Sequence, residues 1–430
     1  MPTAPPKKGG STLLAAVCWG TLLFAHAGAV LGWETVGIWF YPLVWWPYVI
    51  LMDHHGARLG VQKPLLSPPS RLLGLGLLSV PFWLLFELLN LRLENWYYVG
   101  VPENWLLRNT GAALSFATVL PLMAVTAAWL RTGLLGGRVR VPRLRITSGR
   151  LLGMRLGGGL FLLLPMVWPH LFFPLVWGFL VLLLEPANYQ AGRPSLLADL
   201  ERGDGRRVAA LLSAGLICGG LWEGWNVLAS AHWIYTVPWL TETRWFEMPP
   251  LGFLGFPMLA LEGFVCVQWM AGNWREARKP ARGFSILLLI ALSVCGLWGM
   301  DRYTVDAHTP SMDNVRPLNG EQRAALKAHG VVTVRQLAEL DDTHLASLGA
   351  AAGIDAGHLT MARDWARLTR HRGLGDIRAA RLWDAGITRQ TLAMYTPEAL
   401  TRILGDAAPP RQRIRVWLHA APKAVDPAGG

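Results

Sequence analysis

The sequence predicts an all-α protein: a polytopic membrane helix bundle of about nine spans, followed by a small soluble helical domain. Three observations carry that prediction. Apolar residues make up 52% of the chain and charged residues only 16%, well under the roughly 25% typical of soluble domains. Nine apolar runs approach the ~20 residues that a helix needs to cross a bilayer. The 22 tryptophans suit rings that anchor helices at membrane interfaces.

The spans fall near 11–31, 36–52, 71–90, 109–130, 151–168, 171–187, 207–228, 250–271 and 283–300. Basic residues order the loops between them. Lys7 and Lys8 precede span one, and Arg58, Lys63 and Arg71 follow span two. Arg131, Arg138, Arg140, Arg143, Arg145, Arg150 and Arg155 lie between or at the edges of spans four and five. Arg193, Arg202, Arg206 and Arg207 follow span six; Arg275, Arg278, Lys279 and Arg282 follow span eight. These are alternate loops, so the positive-inside rule puts the N-terminus in the cytoplasm of a bacterial cell. Nine spans then put the C-terminal domain on the periplasmic side. Ala25-His26-Ala27 imitates a signal-peptide cleavage site, but span one has a partner in span five and is read as retained.

The net charge of +12 does not mark a nucleic-acid binder. Residues 1–300 hold 23 Lys/Arg against 14 Asp/Glu, and that surplus sits in the alternate loops. Residues 301–430 hold 17 against 14. Cys18, Cys218, Cys266 and Cys295 all lie in apolar runs without CxxC spacing, which supports neither a disulfide frame nor a zinc site. Asp53-His54-His55 sits at the end of span two and reads as a polar helix end; no metal and no cofactor is expected.

The spans come as a tandem duplication. Phe40-Tyr41-Pro42-Leu43-Val44-Trp45 recurs as Phe172-Phe173-Pro174-Leu175-Val176-Trp177, and Asp53 then matches Glu185. Glu87, Asn90, Trp96, Tyr98 and Pro102 match Glu223, Asn226, Trp233, Tyr235 and Pro238; Pro121 matches Pro257. The offset stays between 132 and 137 residues and the order is kept. Two four-span units, 1–135 and 136–300 with a ninth helix, therefore share one orientation, and sites between such repeats are favoured.

The matched acids locate the candidate site. Glu87/Asn90 and Glu223/Asn226 stand at i, i+3, on one helix face, in the last turn or so of spans three and seven. An aromatic loop follows each pair and supplies Trp96 and Tyr98, or Trp233 and Tyr235. Glu262 lies deeper, in span eight, with Thr126 at the equivalent place, and Glu247 precedes that span. A carboxyl inside a bilayer is costly and points to function. Glu223, Glu262 and Glu87 are thus candidate proton donors, and Asn226, Asn90, Trp233, Tyr235, Trp96, Tyr98 and Glu247 candidate substrate contacts. Interfacial anchoring and interhelical hydrogen bonding are the plainer readings of the same residues.

Trp245-Phe246-Glu247-Met248-Pro249, then Gly252, Gly255, Pro257 and Glu262-Gly263-Phe264, resembles the membrane carotenoid-modifying enzymes of the lycopene cyclase type. That resemblance implies a repeated multi-span module whose membrane acids protonate a polyene. The family has paired acids after proline where this chain has Glu262 alone. Ser79–Trp83 and Asn95–Gly100 resemble signatures of uncharacterised bacterial polytopic membrane proteins.

Residues 301–317 read as a linker. Within 318–430, Leu326, Gly330, Thr333, Leu337, Leu345 and Gly349 match Leu382, Gly386, Thr388, Leu392, Leu400 and Gly405. Each unit predicts a helix, a glycine turn, a threonine-started helix and a short helix. Gly373-Leu374-Gly375 resembles the glycine hairpin of helix-hairpin-helix modules, and 318–406 as a whole resembles a helix-hairpin-helix-like domain of unknown function. Such a hairpin implies backbone contact with a phosphate, but the nearly balanced charge favours a protein partner or self-association through 318–406 over nucleic acid.

These readings converge on an enzyme of the cell membrane acting on a lipid-soluble, isoprenoid-like molecule by carboxylic-acid protonation. A carrier or proton-coupled permease, or a non-catalytic scaffold with an interaction domain, would use the same residues differently.

Overall fold

The computed structural model describes residues 8–58, 60, 68–135, 137, 139–237 and 243–422; Lys7, Lys63, Arg138 and Pro238 lie outside them. The chain folds as α1 (Lys8–Val30), α2 (Glu34–Ile38), α3 (Phe40–Arg58), α4 (Pro69–Leu93), β1 (Trp96–Val101), α5 (Trp105–Phe116), α6 (Val119–Thr132), α7 (Ser148–Val167), α8 (Pro169–Phe172), α9 (Phe179–Gln190), α10 (Leu196–Glu201), α11 (Arg206–Leu228), β2 (His232–Tyr235), α12 (Gly255–Glu276), α13 (Lys279–Tyr303) and β3 (Val305–His308). Seven further helices complete it: α14 (Gly320–Ala328), α15 (Val334–Glu339), α16 (Asp342–Ala352), α17 (Ala356–Thr369), α18 (Gly375–Asp384), α19 (Pro397–Leu404) and α20 (Arg411–Ala420).

Eight helical segments among the described residues are long and apolar enough to cross a bilayer: 12–30, 69–93, 105–132, 148–167, 169–190, 206–228, 250–276 and 279–303. The chain is a multi-pass membrane protein. The second span expected from the sequence is α3. It forms a 19-residue helix, but Trp, Tyr and Pro residues and its Asp53-His54-His55 end keep it below the hydropathy of the others. The lipid face is plainest on α13, where Phe284, Leu287, Val294 and Trp298 are all more than 60% exposed. A soluble protein does not leave so large an apolar surface bare.

Small residues set the helix contacts, as expected where helix and lipid are equally apolar. Gly296 and Gly299 of α13 pack under Leu84 and Leu91 of α4, and Gly215 of α11 meets the Phe256–Pro257 backbone of α12. One apolar core runs through the bundle from Ala25 and Ala29 of α1 to Met300 of α13, so α1 is a packed member of it.

The expectation of a purely helical protein needs amendment. The chain leaving α4, α11 and α13 enters three short strands that pair in the order β2-β1-β3. β1 and β2 are antiparallel, with Trp96 opposite Tyr235 and Tyr98 opposite Trp233. β3 joins β1 in parallel, with shifts in register. Aromatic and β-branched residues fill these segments and suit a pleated, half-buried surface.

The C-terminal helices form a separate core from Met312 to Ala421. Side-chain caps start most of them. Asn319 with Gln322 and Thr333 with Gln336 form capping boxes, and Asp341, Asp355 and Thr396 cap α16, α17 and α19. The turns after α14 and α18 close alike, by Val331 N–H to the Leu326 carbonyl and Ile387 N–H to the Leu382 carbonyl. Thr388 departs from expectation, since it leads only into a short 3-10 turn at Leu392–Met394.

The expected linker at 301–317 is ordered structure. α13 continues to Tyr303, β3 follows, and a 3-10 turn occupies Met312–Asn314. A small third core of Tyr97, Val99, Ile234, Ala307 and Val416 joins the sheet to the C-terminal helices. Asp306, 1% exposed, receives Arg378 at 2.9 Å and Arg413 at 2.7 Å. The Gly373–Gly375 turn lies in this joint. Both glycines have positive φ, and a Cβ on them would strike Val99 and Ala307 respectively. The glycines are therefore required by close approach to the sheet; the turn faces the chain's own membrane part and offers no open cradle for a phosphate.

Candidate functional site

α4 and α11 each end at the sheet, and their last turns carry the two Glu-Asn pairs. Both asparagines are fully buried and tie a helix end to the following strand. Asn90 Nδ2 donates to the Trp96 carbonyl at 2.9 Å, and its Oδ1 accepts the Asn95 N–H at 2.8 Å. Asn226 Nδ2 donates to the Trp233 carbonyl at 2.9 Å, and its Oδ1 accepts the Trp233 N–H at 3.1 Å. Tyr41 reaches across from α3 and donates to Asn226 Oδ1 at 3.3 Å.

The carboxyls of Glu87 and Glu223 are also fully buried. Glu87 Oε1 accepts from Trp83 Nε1 at 2.8 Å, Trp96 Nε1 at 3.1 Å and the Tyr98 hydroxyl at 2.6 Å. Glu223 Oε1 accepts the Tyr235 hydroxyl at 2.8 Å. In each carboxyl the second oxygen, Oε2, has no hydrogen-bond partner among the described residues, and neither does Trp233 Nε1. Buried polar atoms left bare are rare enough to require a reason.

Beside these clusters lies a cavity of about 170 Å³, larger than the ~150 Å³ engineered cavity that holds benzene. Its wall draws on both parts of the bundle and on the sheet. Trp39, Tyr41, Trp45, Trp83, Trp96, Tyr98 and Phe116 come from one side, Trp177, Trp222, Trp233, Tyr235 and Phe256 from the other. The rings interlock: Phe86 stacks on Trp177 at 5.2 Å between centroids, and Tyr41 meets Trp233 at 5.1 Å. Arg108 reaches the wall with its charge already engaged by Asp301 at 2.5 Å. Tyr98 and Tyr235 line the wall and turn their hydroxyls onto Glu87 and Glu223 behind it. Burial, then the adjoining carboxyl, raises both phenols well above their usual range. They stay protonated at neutral pH.

The sequence-predicted residues thus divide. Glu87, Glu223, Asn90, Asn226, Trp96, Tyr98, Trp233 and Tyr235 come together at one end of the bundle. Glu247 reaches them with its backbone, which lies against the Glu223 carboxyl. Its carboxylate binds Arg372 at 2.6 Å and Arg244 at 3.5 Å, an ion pair to the C-terminal domain. Glu262 stands apart. Its Oε1 accepts the Leu180 N–H at 3.1 Å, and Leu180 is in the first turn of α9, just after the break at Gly178. A helix end at membrane depth must have its N–H groups satisfied from within the protein. Between α3 and α6, Tyr48 meets Thr126 at 2.8 Å.

Tyr41, Trp45, Trp83 and Trp177 are wall residues that the sequence reading did not single out as a site. Their signals were present. Trp45 and Trp177 end the twice-occurring Pro-Leu-Val-Trp motif, Tyr41 directly precedes its first copy, and Trp83 stands one helical turn before Glu87. No group of three or more His, Cys, Asp or Glu that could hold a metal is found among the described residues.

Residues 317–420 match the family described as Domain of unknown function (DUF4332). That match covers the C-terminal helices and under half of the chain. No curated protein and no solved structure matches the chain.

Proposed function

We propose that the membrane region is an enzyme that binds a lipid-soluble, unsaturated molecule of the isoprenoid class in the aromatic cavity and protonates it. The observation that carries this reading is the pairing at the cavity wall: two tyrosines line a mainly apolar space, and the hydroxyl of each donates to a buried carboxyl. An apolar, ring-lined space suits a hydrocarbon, and the same rings would steady a developing cation by cation–π attraction.

The proton balance runs through the pair. The substrate double bond takes the tyrosine proton, forming a C–H bond and leaving a carbocation. For this the hydroxyl turns its hydrogen from the carboxyl to the substrate and accepts a hydrogen bond from the neutral carboxyl, whose proton it takes in the same step, so the phenol ends neutral and the carboxyl becomes a carboxylate. Loss of a proton from the cation back to that carboxylate closes the cycle as an isomerisation or cyclisation without any redox partner. Glu223 with Tyr235 is the preferred donor pair, because Glu223 carries fewer fixed donors than Glu87 and is freer to exchange its proton. Glu262 drops to a positioning role at the α9 break. The resemblance to carotenoid-modifying enzymes in 245–264 points to the same substrate class.

The reading extends to architecture. We take the two membrane units as tandem repeats with the cavity between them, the N-terminus in the cytoplasm and the sheet with its C-terminal domain on the periplasmic side. The test compares total lipid and pigment extracts by mass spectrometry. Hosts that make long polyenes would carry no protein, wild type, Tyr235→Phe, Glu223→Gln or Glu262→Gln at equal protein level. A shifted species present with wild type and Glu262→Gln but lost with Tyr235→Phe and Glu223→Gln is expected. Identical extracts in every arm overturn the enzyme reading.

A further inference from the structure

A second opening lies in the C-terminal domain. It measures about 460 Å³ and is lined by Ala338, Arg367, Arg370, His371, Arg372, Arg389 and Ala420. Four guanidinium groups on one wall demand an account, because like charges repel and burial costs each of them hydration.

Their present partners offset only part of the charge. Arg372 binds Glu247, and Arg370 meets Glu339 at 3.4 Å. Glu34 also attracts Arg370, while Arg335 nearby adds a further positive charge. Arg367 is held by the Ala338 and Leu340 carbonyls at the end of α15, which fixes its position and leaves its charge unbalanced. Arg389 donates through Nε to His371 Nδ1 at 3.4 Å, and among the described residues its two terminal nitrogens have no partner.

His371 adds no charge. Its Nε2 donates to the Trp417 carbonyl at 2.8 Å, leaving Nδ1 as the acceptor from Arg389. Burial, and then Arg389 and Arg372, hold it at about 4, so it is neutral at physiological pH. The imidazole orients Arg389 with its free fork toward the opening. Planar guanidinium forks bind two oxygens of one phosphate at once.

We infer that this pocket binds a phosphate-type oxyanion at the outer membrane surface. The group could reach it as a lipid headgroup or as a soluble phosphate ester, since Arg370 of the lining interacts with Glu34 at the start of α2 and with Arg335, and Gly32 after α1 packs beside Arg335. Basic pockets at that level suit anionic headgroups.

The test uses the full-length protein in two arms. In detergent, sodium pyrophosphate is titrated by calorimetry. In nanodiscs of phosphatidylcholine with 0 or about 20 mol% phosphatidylglycerol, lipid retained by the released protein is counted by native mass spectrometry. Arg370→Gln with Arg389→Gln is expected to weaken whichever probe binds at least about tenfold. Arg402→Gln with Arg415→Gln, exposed positions that remove the same charge elsewhere, should change it less than about twofold. Ala420→Glu puts a carboxylate into the opening at a partly exposed site and should abolish binding without disturbing the fold, so the test survives if the first pair does not fold. Pyrophosphate binding lost in the pocket variants assigns a soluble oxyanion; retained phosphatidylglycerol lost in the same variants assigns a headgroup. Binding of neither probe, or equal loss in both arginine pairs, overturns the site.

Discussion

Glu87 is held by Trp83, Trp96 and Tyr98, whereas Glu223, at the corresponding turn of α11, is held by Tyr235. The difference traces to two positions. Four residues before Glu87 stands Trp83; four before Glu223 stands Gly219, and the Phe256 ring fills the space above it. Trp96 turns its Nε1 onto Glu87, while Trp233 leaves its Nε1 unpartnered. The asparagines show no such divergence, each fastening its helix to its strand by the same two kinds of bond. Glu87 is thus fixed by three close side-chain donors and Glu223 by one, beside the same cavity.

The shared part of the comparison should give the largest effects. Asn90→Ala and Asn226→Ala each strip a buried backbone carbonyl and N–H of their partners. At about 1–3 kcal/mol per stranded group, either variant should lose roughly 3–5 kcal/mol. Unfolding in detergent monitored by tryptophan fluorescence measures this. A loss under about 1 kcal/mol in one of them would break the equivalence of the two fasteners.

The tyrosines should separate the two carboxyls. Tyr98→Phe leaves Glu87 with two indole donors and should cost about 1 kcal/mol. Tyr235→Phe removes the one close side-chain donor of Glu223 and should cost about 2–3 kcal/mol. Equal costs would mean that Trp83 and Trp96 contribute nothing to Glu87. The pH dependence has a definite sign. Both phenols are raised in the folded protein by burial and by the facing carboxyl. Their contribution is therefore complete below the unfolded value of about 10 and is lost as pH rises toward the folded one. Each Phe variant should flatten part of the alkaline fall in stability seen in wild type.

The carboxyls themselves come next. Glu87→Gln weakens three charge-accepting bonds and should cost about 1–2 kcal/mol. Glu223→Gln touches one bond and should cost less than about 1 kcal/mol, although the proposed activity should vanish with it. Chemical denaturation of the two purified variants tests the ordering, and a more damaging Glu223→Gln would reverse the assignment of fixed and exchangeable carboxyl.

Much of this site was legible along the chain, because Glu and Asn three apart in an apolar helix announce one buried face. Tyr98 and Tyr235 were legible as neighbours, since each follows its glutamate by only eleven or twelve residues. The sheet was not legible. β1 and β2 are six and four residues long, with aromatics on both faces that hide the alternation of a strand, and their pairing spans more than 130 residues. The ion pair of the Glu247 carboxylate was not legible for a related reason: its partner Arg372 lies 125 residues away in another domain. The Gly373–Gly375 turn was visible as a turn, but what it faces depends on β1 and β3.

Glu262 is where the two accounts of a buried acid part most cleanly. If its work is to cap the break before α9, the acceptor atom matters and the proton does not. Glu262→Gln keeps an oxygen for the Leu180 N–H and should stay within about 0.5 kcal/mol of wild type, whereas Glu262→Leu strands that N–H and should cost about 2 kcal/mol. Between α3 and α6, Tyr48 and Thr126 meet through hydroxyls with no acid, along a helix that runs unbroken through Pro47. The acid goes with the break: where α3 is continuous the contact is between side chains, and where the chain halts at Gly178 a carboxyl reaches the exposed N–H. A Glu262→Gln variant that unfolds more readily than Glu262→Leu would sink this account and return Glu262 to the list of acids held for their proton.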